Sequence, residues 1–220
     1  MRIKSLSLLL CLCLFATCLF SCKERDREYN EKEVTAAAKE LIEKSLILNK
    51  IYWGEGIAFI PPEDGAEPRG YRPVDPEALA LLERDYGIKD LKTLKEKTRK
   101  IFSEAGYNWI VSTCLTNINS DDGVASYARY YQSVPSEENG MKQTLMVYAN
   151  ARNIFENTES VEYLYDNMKV SDVEGQVLTV SLRVKTVGKD KTEKTRTFFV
   201  RVIEEADGYR LHGASYATHN

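Results

Sequence analysis

Acid–base or nucleophilic chemistry needs a base within hydrogen-bond reach of its partner, and the two histidines, His212 and His219, are the obvious candidates. Both lie at the C-terminal end, where His219 is expected to fray. His212 alternates with Tyr209 and Leu211 on the last expected strand and should face away from them as a solvated residue. No spacing selects a serine to partner it. Zinc requires a ligand cluster, and beyond residue 22 the chain has neither a Cys pair nor a His-x-x-x-His. Asn117-Ile118-Asn119-Ser120-Asp121-Asp122-Gly123 places oxygen ligands at alternate positions, as a calcium loop does. Asp122 nevertheless stands where the sixth-position glycine belongs, and Ala128 where the twelfth-position glutamate belongs. A turn between a helix and a strand accounts for the same residues. The carboxylate pairs Asp121-Asp122 and Glu137-Glu138 fall in polar loops, and no nucleophile elbow, phosphate loop or dinucleotide fingerprint is present. The expectation is a chain without enzymatic activity, cofactor or metal.

Cys114 lies in the apolar stretch Trp109-Ile110-Val111-Ser112-Thr113-Cys114-Leu115, where a buried, inert thiol is expected. The tyrosines are more informative. Tyr127, Tyr130, Tyr131, Tyr148, Tyr163 and Tyr165 fall in or near expected strands. Amphipathic rings favour binding surfaces, although high β-propensity alone would also place them there.

The elements that must position these residues change period along the chain. Val34, Ala37, Ala38, Leu41, Ile42, Ser45, Leu48 and Tyr52 recur at helical spacing, with Gly54 as a stop. Short extended pieces at 56–60 and 71–74 flank a Pro/Gly-rich loop. Asp75-Pro76-Glu77 opens a second helix that should end before Gly87, and Asp90 opens a third carrying Leu91, Leu94, Thr98, Ile101 and Phe102. Ser103 and Glu104 open a short helix to about Cys114. Beyond 124 the pattern is strand-like, over 125–132, 143–149, 161–170, 176–186, 195–204 and 209–216. In the clearest of these, Leu178, Val180, Leu182 and Val184 occupy one face and Thr179, Ser181, Arg183 and Lys185 the other. Asp207-Gly208 signals the final hairpin. The expected fold class is α+β, with N-terminal helices packed on a curved antiparallel β-sheet formed by the C-terminal half.

The N-terminus has a different design. Arg2 and Lys4 precede an uncharged stretch from Leu6 to Phe20, the build of an export signal and short for a membrane span. It ends in Leu19-Phe20-Ser21-Cys22, which resembles the lipobox of bacterial lipoproteins; the competing Phe15-Ala16-Thr17-Cys18 lacks the leucine. The resemblance implies cleavage after residue 21 and lipidation of Cys22, whose two or three acyl chains give a stable anchor where one would be marginal. The organisation expected is a signal at 1–21, a lipidated tether at 22–33 and one α+β domain at 34–220, with the alternative that the end of the tether extends the first helix. The mixed-charge segment Lys23 to Glu33, fully extended, would hold the domain roughly 35 Å from its anchor. Loss of Arg2 and Lys4 with the signal takes the net charge from −3 to −5 and leaves no polybasic footprint for nucleic acid. Lipidation also leaves Cys114 without an internal disulfide partner. Location would be the cell envelope outside the cytoplasm. With Lys23 after the cysteine, that means the outer membrane of a diderm or the outer face of the plasma membrane of a monoderm.

The order of elements resembles two groups. Tyr71-Arg72-Pro73-Val74, Asp90-Leu91 ahead of Phe102-Ser103, Leu145-Met146-Val147-Tyr148 and Asp207-Gly208-Tyr209-Arg210-Leu211 are similar to the DL-endopeptidase inhibitor family of the IseA type, across about residues 32–216. That resemblance implies a secreted, non-enzymatic protein that restrains peptidoglycan hydrolases. The late meander and the Asp-Gly hairpin resemble instead the NTF2-like cone, which implies a small-ligand pocket lined by tyrosines.

Overall fold

In the computed structural model the described residues are 29–116, 118–119, 125–134 and 143–219. The chain divides into Met1–Asn30 and Glu31–Asn220, and all the described elements belong to the second unit. Cys22, Asn117, Asp121-Asp122 and Glu137-Glu138 lie outside the described residues.

Helix α1 spans Glu31–Trp53, three residues earlier than its apolar periodicity marks, because Glu31 and Glu33 suit the positive end of the helix dipole. Its inner stripe of Val34, Ala38, Leu41, Ile42, Ser45, Leu48 and Tyr52 is buried. At its end Gly54 accepts no side chain: a Cβ there would lie 2.9 Å from the Lys50 carbonyl oxygen. Helix α2, Pro76–Tyr86, starts where Asp75 accepts from the amides of Glu77 (2.7 Å) and Ala78 (3.1 Å), and ends at Gly87 with φ 70°. Helix α3, Leu91–Ile101, has a reciprocal cap between Asp90 and Thr93. Helix α4, Glu104–Ile110, is capped by Ser103 and runs into a wide π-turn, Val111–Leu115.

The strands are β1 (Tyr71–Pro73), β2 (Ile118–Asn119), β3 (Ala125–Ser126), β4 (Tyr130–Gln132), β5 (Leu145–Tyr148), β6 (Thr158–Glu174), β7 (Val177–Gly188), β8 (Glu193–Glu205) and β9 (Gly208–Leu211). The fold is α+β: N-terminal helices followed by an open, four-stranded antiparallel meander in the order β6-β7-β8-β9. The strands before the meander do not join it. They form a three-stranded sheet, β1-β5-β4, and the short pair β2-β3. Helix α1 packs across β6 and β9, and Leu178, Val180, Leu182 and Val184 of β7 are buried with Val200 and Val202 of β8. Each such side chain contributes roughly 1.5–3 kcal/mol of burial. Among the described residues no helix is long and apolar enough to cross a membrane.

The last strand stops at Leu211 rather than continuing to Tyr216. The His212 amide still donates to the Arg201 carbonyl at 2.8 Å, after which the chain leaves the ladder and side-chain bonds hold it. Ser215 bonds Ser45 (2.7 Å) and Asn49 (3.1 Å) of α1 in a buried polar cluster, and Ala217 is buried. His219, expected to fray, is instead 7% exposed. Its ring nitrogens meet the hydroxyls of Thr186 (3.2 Å) and Thr192 (2.8 Å), and its amide donates to Thr158 (3.0 Å).

Candidate binding surface

The small sheet is amphipathic because its register is amphipathic. Tyr71 lies opposite Tyr148, and Met146 lies opposite both Pro73 and Tyr131. Alternation therefore sends Val147, Leu145 and Tyr130 inward, where all are buried, and sends Tyr71, Tyr131, Tyr148 and Met146 to the other face. Tyr127, just ahead of β4, completes a cluster of four rings. Tyr71 is its hub, with centroids at 4.7 Å from Tyr131, 5.3 Å from Tyr148 and 6.4 Å from Tyr127, all edge-on. Tyr127 and Tyr148 stack at 4.8 Å. The cluster is open to solvent, with Tyr127 51% and Tyr131 38% exposed.

The hub is fixed from behind. Tyr71 donates its hydroxyl to the Ala128 carbonyl at 2.6 Å, and burial, with the neighbouring phenols, raises its pKa above the ordinary tyrosine value. Arg129 and Tyr130, next in the chain, anchor this segment to the end of α1. Tyr130 donates to the Ile51 carbonyl and accepts from the Ile57 amide, each at 3.0 Å. Arg129 is buried, and its guanidinium donates to the carbonyls of Tyr52 (3.0 Å), Arg152 (3.2 Å) and Gly54. Its Nε is buried without a hydrogen-bond partner among the described residues. Gly56, at φ 80°, makes room for this arrangement: a Cβ there would come within 2.9 Å of both the guanidinium and the Tyr130 hydroxyl.

The tyrosines singled out from sequence thus separate into three environments. Tyr127, Tyr131 and Tyr148 share the open face; Tyr130 is core; Tyr163 and Tyr165 stack at 6.3 Å on β6, against α1. There Tyr163 donates to the Ser215 carbonyl (3.1 Å) and Lys39 sits over the Tyr165 ring (5.0 Å). They do not meet in one pocket. Tyr71 was not among those expected, since its neighbours in space are more than 50 residues away in sequence. The Tyr71-Arg72-Pro73-Val74 segment was the only signal available.

His212 has a serine partner that spacing could not select: its Nδ1 is 3.0 Å from Ser103 Oγ. Ser103 is 3% exposed and its oxygen also accepts from the Gly106 amide (3.3 Å), so the pair closes the start of α4 onto β9. Cys114 is buried, as expected, and burial pushes its thiol up to about 12. What the open face offers is a cluster of partly exposed aromatic rings, the composition of a binding surface. No protein-family model matches the chain, and a search of curated proteins finds no significant relative.

Proposed function

We propose that the protein is a lipid-anchored, extracytoplasmic binding protein that acts by contact rather than catalysis, and that its partner is a peptidoglycan hydrolase whose activity it restrains. The observation carrying the contact surface is the convergence of Tyr71, Tyr127, Tyr131 and Tyr148 on one solvent-facing side of the small sheet. Rigid rings give large contact area at little entropic cost, and those anchored beneath by Arg129 and Tyr130 are preorganised. Cys22 supplies the anchor in this reading, and the resemblance of the ordered segments from Tyr71 to Leu211 to the IseA-type inhibitors supplies the partner class.

The test is capture from envelope extract with the chain and with its Tyr127→Ala/Tyr131→Ala variant. A wall hydrolase should be recovered, its activity should fall when the protein is added, and both effects should weaken at least tenfold in the variant. Recovery of no hydrolase, together with unchanged hydrolase activity, would remove the inhibitor reading. Equal capture by the variant would remove the tyrosine face from it.

A further inference from the structure

A second surface lies along α3 and is chemically unlike the tyrosine face. Lys92, Lys95 and Arg99 recur at three and four residues, on a side of α3 other than the buried Leu94, Thr98 and Ile101, and Lys89 precedes them. Together they border a cleft of ≈ 1070 Å³. Val74, Leu79, Leu91 and Leu145 also line it and supply an apolar floor. The acids within it are already engaged: Asp90 accepts from the Thr93 amide and hydroxyl, each at 2.7 Å, and Glu96 lies 3.9 Å from Lys92. Arg99 stacks over Tyr107 at 4.3 Å. Lys89 and Lys95 have no ion-pair partner among the described residues. This is a cationic rim over an apolar floor, on a chain of net charge −3.

We infer that the cleft is a docking groove for an acidic peptide segment carrying apolar side chains, supplied by a partner protein. Charge complementarity selects an anionic occupant, because the rim inverts the sign of the whole chain. The spacing selects an extended one. Seven residues separate Lys92 from Arg99 on α3, about 10 Å along the helix, which is the length of roughly three residues of extended peptide. A single phosphate would need those cations to converge. The apolar floor favours a segment that can bury side chains between its carboxylates. This inference is independent of the tyrosine face and of the lipid anchor.

Fluorescence anisotropy of a labelled nine-residue peptide alternating Glu and Leu, added to the full chain, tests it. Binding should weaken at least tenfold in Lys89→Glu/Lys95→Glu, steadily as salt is raised, and at least tenfold when the peptide is all Glu. Lys89 is exposed and Lys95 half-buried; the thermal midpoint should hold, and the milder Lys89→Gln/Lys95→Gln should weaken binding several-fold if it does not. No binding, equal binding by both charge variants, or equal binding of the all-Glu peptide would overturn the groove. Tighter binding of single-stranded DNA or of short-chain phosphatidylglycerol, lost in the same variants, would assign it to another class of ligand and overturn the peptide assignment.

Discussion

Arg129 donates from Nη1 to the carbonyl oxygen of Tyr52 at 3.0 Å, placing a buried cation on the C-terminal end of α1. The helix dipole is negative there, and the last carbonyls have no partner within the helix. One planar guanidinium meets Tyr52, Gly54 and Arg152 at once, a geometry an ammonium cannot reproduce. Arg129→Met should therefore lower unfolding stability by about 2–5 kcal/mol, since it leaves buried carbonyls unpaired. Arg129→Lys should recover only part of the loss. Urea midpoints measure both, and a full recovery by lysine would contradict the account.

Stability should fall in alkali. Burial pushes Cys114, Tyr163 and Tyr165 up to about 12 from ordinary values of 9.0 and 10.0, with Glu43 adding to the effect on Tyr165. Tyr52 moves the same way for the same cause. The unfolded chain releases these protons from about pH 9, whereas the folded chain holds them to about pH 12, so between those values the native state binds more protons. Their contribution is complete below pH 9 and lost as pH rises through 12. Urea midpoints at pH 8, 10 and 11 should descend in that order; an unchanged midpoint at pH 11 would refute the assignment.

What the sequence disclosed follows from range. Caps are local, so Asp75-Pro76 and Asp90 mark helix starts without reference to the rest of the chain, and the alternation of β7 needs one buried face. The separation of the small β1-β5-β4 sheet from the meander was not readable, because it depends on β1 finding β5 across the helices. Nothing near Arg129 in sequence says that the end of α1 needs a donor. The anchoring of His219 is unreadable for the same reason, since its partners Thr158, Thr186 and Thr192 lie on β6, on β7 and ahead of β8.

Those partners make His219 a clasp for the C-terminal segment. His219→Ala deletes both hydroxyl contacts and should cost about 1–2 kcal/mol. Hydrogen exchange near Ser215 and Ala217 should accelerate before the β7 amides do. Exchange that rose equally in both places would indicate global destabilisation instead of local release.

Cys22→Ser separates the anchor from the domain. If lipidation at this sulfur holds the protein to the membrane, the variant should move from the membrane fraction to the soluble one and fail to incorporate labelled palmitate. Its folded domain should keep its unfolding midpoint, because every described element lies beyond Asn30. Palmitate labelling that persisted in the variant would move the anchor to another cysteine.

Adjacent residues of β4 separate folding from binding most sharply. Tyr130 is fully buried and its hydroxyl bridges the Ile51 carbonyl and the Ile57 amide, so Tyr130→Phe leaves two backbone groups unpaired. That change should cost about 1–3 kcal/mol while preserving partner capture at temperatures where the chain stays folded. Tyr131 points the other way, is 38% exposed, and makes an edge contact with Tyr71. Tyr131→Ala should move stability by about 1 kcal/mol or less, since exposed positions tolerate substitution. It should nevertheless weaken capture, as removal of an aromatic anchor does at interfaces. Chemical denaturation and capture, run in parallel on both variants, should give opposite rankings. Matching rankings would mean that the open face serves the fold alone.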